Sequence, residues 1–135
     1  MLFAWSLKEA SIYNLDTGSY FFSYHNLFKE QENQINDMLY MPKYRYIVVA
    51  TECGDLVVYK WDSTASIVTE FKGSSNQEFY NKSIRSLARH PNRLNQFISA
   101  SIDSTIRIWC LEKFSCQYTL KIPFEIKQIR MMDNL

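Results

Sequence analysis

The chain has little of what most enzymes and metal sites are built from. It holds two histidines, three cysteines and three glycines in 135 residues. No glycine-rich loop is present to bring backbone amides around a phosphate, and neither a Ser-His-Asp order nor an HExxH pair occurs. Cys53, Cys110 and Cys116 are odd in number, and none stands in a CxxC pair. Disulfide frameworks and zinc sites need paired or clustered thiols, so these read as reduced thiols of a cytoplasmic protein. A charge excess is lacking too: 15 Lys and Arg stand against 14 Asp and Glu, a net charge of +1. Such a balance makes no electrostatic glove for nucleic acid. No apolar run approaches the roughly 20 residues of a membrane span, and no signal-peptide pattern opens the sequence. Asn81-Lys82-Ser83 has the form of a glycosylation acceptor, which has meaning only in a secreted protein. No cofactor, no metal and no small-molecule substrate is expected.

What is present is aromatic and β-forming. Aromatic residues make up 16% of the chain while proline is scarce, which suits a buried β core better than a disordered tail. The clearest segment is Phe97-Ile-Ser-Ala-Ser-Ile-Asp-Ser-Thr-Ile-Arg-Ile-Trp109. It reads as two short strands around a tight turn, with small residues ending the first, Asp103 at the turn and Trp109 closing the second. Ile47-Val-Val-Ala-Thr-Glu-Cys-Gly-Asp-Leu-Val-Val-Tyr59 lies over the same template, with Tyr59 in the slot of Trp109 and a spacing of 50 residues. Residues Phe3 to Tyr13 match more weakly, with Tyr13 in that slot and a spacing of 46. The dipeptide Trp61-Asp62 lies one pleat beyond the slot, on the same face as Tyr59.

Flanking features recur with the hairpins. Ile84-Arg-Ser-Leu-Ala-Arg-His-Pro91 and Ile35-Asn-Asp-Met-Leu-Tyr-Met-Pro42 are strands that stop at a proline, which cannot donate to a ladder. Ile126-Lys-Gln-Ile-Arg-Met131 begins a third copy. After each aromatic slot comes a polar turn and a further strand: Tyr20-Phe21-Phe22, Ile67-Val68-Thr69 and Cys116 to Leu120. The order that results is three strands in 1–24, four in 34–71, four in 83–120, and the first strand of a further unit in 122–132.

This pattern resembles the WD40 repeat, the four-stranded blade of a β-propeller, over nearly the whole chain. The spacings sit at or slightly above the roughly 40–45 residues of such a unit, an excess that loops absorb cheaply. The resemblance implies an all-β fold of antiparallel four-stranded blades forming part of a ring. Three blades and one strand do not close a ring of four to eight. Either the chain is a piece of a longer polypeptide or another chain supplies the missing blades; a self-sufficient small sandwich is the plain alternative. In that family a strong repeat carries a buried hydrogen-bond set of Asp, His, Ser or Thr, and Trp. Ser101, Asp103 and Trp109 match three of those roles. The histidine is missing, for the loop before Ile84 offers Gly73-Ser74, and His25 lies too far ahead of Ile35.

A blade of this kind implies a non-enzymatic protein–protein interaction scaffold. The family's usual contact surface carries the turn between second and third strands and the start of the first. Transferred to matching positions, it comprises Glu52 and Ile102 beside the turns, and Asn36, Arg85 and Lys127 at the strand starts. The expected partners are other proteins, including a chain or segment that completes the ring. The rival readings are a structural brick of a ciliary or cytoskeletal, microtubule-associated complex and a nucleic-acid-binding propeller. For the latter, Lys82, Arg85, Arg89, His90 and Arg93 are the one basic concentration. Strand alternation puts Arg85 and Arg89 on one face, and the Pro91 turn is expected to throw His90 and Arg93 to the opposite rim. The long polar connections at 31–37 and 73–82 are the remaining candidates for recognition.

Overall fold

The computed structural model describes residues 2–6, 9–24 (backbone alone for 21–24), 33–61, 66–71 and 82–132. Among these residues all regular structure is strand, and no helix is long and apolar enough to cross a membrane. His25, the Gly73-Ser74 pair, residues 31–32 of the first long polar connection and residues 73–81 of the second lie outside the described residues.

Three antiparallel sheets follow one another along the chain. The first has β1 (Leu2–Trp5), β2 (Ala10–Tyr13) and β3 (Tyr20–Tyr24) in that order. The second is a meander of β4 (Ile35–Met41), β5 (Tyr46–Thr51), β6 (Leu56–Lys60) and β7 (Ile67–Phe71). The third repeats it with β8 (Ile84–Arg89), β9 (Gln96–Ser101), β10 (Thr105–Cys110) and β11 (Ser115–Lys121). The described residues form no closed ring.

The repetition reaches individual rungs. In the second sheet Ile35 pairs with Thr51 and a bulge follows before Asp37; in the third, Ile84 pairs with Ser101 and a bulge follows before Ser86. The ladder to the last strand slips just before the aromatic slot in all three sheets, at Ile12/Tyr13, Val58/Tyr59 and Ile108/Trp109. The turns into β6 and β10 each need a residue at positive φ. Gly54 supplies it at 86° without cost, and Ser104 adopts it at 69°.

Two apolar layers separate the sheets. Ala10, Ile12 and Phe3 of the first sheet meet Ile35, Ile47, Val49, Val57 and Tyr59 of the second. The opposite pleat of the second sheet, Val48, Ala50, Leu56, Val58 and Phe71, meets Ile84, Leu87, Phe97 and Trp109 of the third. This double coverage explains why β5 and β6 are buried almost without alternation, whereas β10 alternates buried and half-buried residues. Tyr59 fills the slot of Trp109 with a hydroxyl that burial, with Glu70 nearby, pushes up to about 12. It therefore stays neutral in the layer.

The aromatic slot corrects one expectation. The Trp109 indole N–H donates to Ser99 Oγ at 2.8 Å, not to Ser101. Ser101 Oγ donates to the Ser83 carbonyl at 2.9 Å and accepts the Asp103 N–H at 3.2 Å. Asp103 accepts the N–H of Thr105 at 3.0 Å and its hydroxyl at 2.5 Å. The three expected members thus belong to two separate sets. The reason is strand rise: Trp109 lies four residues, about 13 Å, up β10 from Thr105, where its cross-strand partner is Phe97 and its diagonal neighbour Ser99.

Residues 122–132, expected to open a further unit, pair with no strand among the described residues. Their contact to β8 nevertheless copies that of β8 to β4. Leu87 N–H donates to Asp37 Oδ2 at 2.7 Å, and Ile129 N–H donates to Ser86 Oγ, the matching position, at 3.1 Å. Ile126, three residues before Ile129, is buried as Ile84 is three residues before Leu87. Position is specified here by side-chain to backbone bonds and not by a ladder among the described residues.

Candidate functional site

The ends of the strands opposite the proline turns carry a polar network across the second and third sheets. It begins with Glu52 in the turn after β5, whose N–H is fixed by the Gln34 carbonyl at 3.0 Å. That tether aims the Glu52 carboxylate sideways at the neighbouring sheet. Asn36, the bulge residue of β4, has its Nδ2 2.9 Å from Glu52 Oε2, 2.8 Å from Ser83 Oγ and 3.0 Å from the Ile84 carbonyl. Two amide hydrogens serve three acceptors, so these bonds are shared. Ser83, itself buried, donates its hydroxyl to Glu52 Oε2 at 2.9 Å. Arg85 Nη1 lies 3.7 Å from the same oxygen.

Three of the five transferred positions, Asn36, Glu52 and Arg85, are therefore brought together. Ser83, which sequence reading passed over, joins them. The signal for it is position: Ser83 precedes Ile84 as Gln34 precedes Ile35. Ile102 and Lys127 stand one sheet further on, at the places matching Glu52 and Arg85. Ile102 N–H is tethered to the Ser83 carbonyl at 3.1 Å, as Glu52 is to Gln34. An apolar side chain there replaces the carboxylate, so nothing comparable draws in Lys127, which is exposed.

A second polar pair was also missed. Asn33 and Asp55 are 3% and 7% exposed. Asn33 Nδ2 donates to Asp55 Oδ2 at 3.2 Å, and its Oδ1 accepts the N–H groups of Cys53 at 3.1 Å and Gln34 at 3.0 Å. This ties the start of β4 to the β5–β6 turn, a role for which no histidine is used.

The Asn36 amide is the main cause holding the Glu52 carboxyl below its ordinary value of 4.5, with help from Ser83 and Arg85 and against partial burial. Its folded pKa is lower than its unfolded one. The stabilisation it gives is complete above the unfolded value and fades as pH falls through the folded one. Glu52→Gln is therefore expected to lower the thermal midpoint at neutral pH, with the gap to wild type closing below about pH 4.5. Melts recorded across that range check it; a gap that widens in acid would refute the assignment.

The basic run divides differently from expectation. Arg85 belongs to the rim just described, while Arg89, His90 and Arg93 share a groove at the proline-turn end. The turn folds back rather than across, because His90 Nδ1 accepts the N–H groups of Asn92 at 3.2 Å and Arg93 at 3.1 Å. No group of three or more metal-ligating side chains occurs among the described residues. Among the three thiols, Cys110 is buried, Cys116 half-buried and Cys53 exposed. No family model matches the chain and no curated protein matches it.

Proposed function

We propose that the chain contributes stacked blades to a WD40-type β-propeller and acts, without catalysis of its own, as a protein–protein interaction scaffold. The observation that carries this reading is the recurrence of one register: turn, bulge and aromatic slot return at the same rungs in successive sheets. Units of this kind cover one another's faces and leave their strand ends for contact. The rim of Asn36, Glu52 and Arg85 is the working surface proposed, extended by Ile102 and Lys127. It is held in shape by Ser83, yet the Glu52 and Arg85 side chains remain 35% and 41% exposed.

The test reverses charge at Glu52, Arg85 and Lys127 together. Proteins captured from a lysate by the wild-type chain are expected to be lost, with the β-rich circular dichroism spectrum unchanged. Capture that survives this change but fails on substitution at the Pro42 and Pro91 turns would move the working surface to the other end. The outer faces of the first and third sheets favour a second reading, a brick of a larger cytoskeletal or ciliary assembly. Sedimentation with microtubules separates that reading from a soluble adaptor.

A further inference from the structure

At the proline-turn end, three segments far apart in sequence enclose a groove of about 960 Å³. Its walls are the β4–β5 turn at Pro42, the end of β8 with the turn that follows, and the strap 128–132. Each wall brings a cation: Lys43 from the first, Arg89 and Arg93 from the second, Arg130 from the third. Among the described residues Asp37 is the one carboxylate in the lining. It is already engaged, accepting the N–H groups of Leu87 at 2.7 Å and Met38 at 2.9 Å. Lys43 lies 3.5 Å from Glu112 outside the groove. No described carboxylate pairs with Arg89, Arg93 or Arg130. A concave wall of one sign concentrates field and favours an anionic occupant.

The groove is also apolar in a particular way. Met41 and Leu87 form its buried floor, and Leu94, Met131 and Met132 stand exposed around it. Long unbranched thioethers adapt to varied aliphatic partners. Among the described residues no Phe, Tyr or Trp lines the groove, so they offer no stacking platform of the kind single-stranded nucleic acid uses. We infer that this groove binds an acidic peptide segment carrying aliphatic side chains, with Arg89, Arg93 and Arg130 as its anion-recognising residues. The site lies at the opposite strand ends from the Glu52 rim and does not depend on the role proposed for it.

The experiment uses the full chain and a short fluorescein-labelled peptide of alternating glutamate and leucine, read by fluorescence anisotropy. Saturable binding is expected, weakening as salt screens the arginines. Arg89→Glu/Arg130→Glu should weaken it by about tenfold or more, while charge reversal at the exposed Lys121 of β11, outside the groove, should leave it unchanged. Both arginines are exposed, so the fold should survive; as a second measurement, the same double variant should gain affinity for an alternating lysine–leucine peptide. Absence of binding by the wild-type chain, undiminished binding by the double variant, or no gain for the lysine–leucine peptide would overturn the proposal. So would tighter binding of a labelled polythymidine oligonucleotide than of the acidic peptide, which would assign the groove to nucleic acid.

Discussion

Replacing Trp109 by alanine is expected to lower the stability of the folded chain by about 3–5 kcal/mol. The indole is 1% exposed and fills the layer between the second and third sheets. Its ring lies 4.7 Å from Phe71 of the sheet before it and 6.2 Å, nearly parallel, from Phe97 of its own. Removing it opens a cavity bounded by two β-sheets, and sheets held by ladders collapse poorly into such a space. It also removes the indole N–H that donates to Ser99, itself fully buried, at 2.8 Å. Trp109→Phe separates the two effects. It keeps most of the ring contact and loses the hydrogen bond, and roughly 1–2 kcal/mol is expected. Urea melts followed by circular dichroism measure both. A cost below about 1 kcal/mol for the alanine variant would mean that this layer does not hold the sheets together.

The second large effect is self-association of the chain expressed by itself. Ile106 pairs with Leu120 and Ile108 with Tyr118 across β10 and β11, so all four side chains share the face turned away from the second sheet. The strap 128–132 covers Ser86 on that face, but Leu120 and Tyr118 remain 49% and 60% exposed. The matching residues of the second sheet, Leu56 and Val58, are buried against the third. An apolar face of this size draws a partner, and β3, β7 and β11 add strand edges. Light scattering is expected to report oligomers, and Leu120→Lys with Ile106→Lys to shift the population toward monomer. A monodisperse wild-type monomer with a cooperative melt would show that these faces are satisfied within one chain.

How far the sequence could be read follows from the range of the interactions. The turn at Gly54 and Ser104, the proline stops and the slots of Tyr13, Tyr59 and Trp109 are local, and their spacing carries them. The register follows, since a hairpin of fixed turn fixes its rungs. The partner of Trp109 was within reach as well. Counting rungs from the turn excludes Ser101 and points to Ser99, a step that resemblance alone skips. The network of Asn36, Glu52, Ser83 and Arg85 was legible in part, because Asn36, Glu52 and Arg85 occupy repeat-equivalent strand starts and turns. Its closure depends on how two sheets lean together, which no spacing reports. The groove was not legible at all: Lys43, Arg89 and Arg130 come from three separate segments and meet only when β4, β8 and the strap lie side by side.

The two faces of every sheet differ, and this gives the stack a direction. The face that holds the aromatic slot looks back along the chain, and the face of Val48 and Val58 looks forward. Each sheet is a plug for the one before and a socket for the one after, so free energy accrues per joint rather than per sheet. The second sheet takes part in two joints, while the first and third take part in one each among the described residues. Damage in β5 or β6 is therefore felt on both sides at once. Damage in β2 or β10 stays on one side and leaves the farther joint intact.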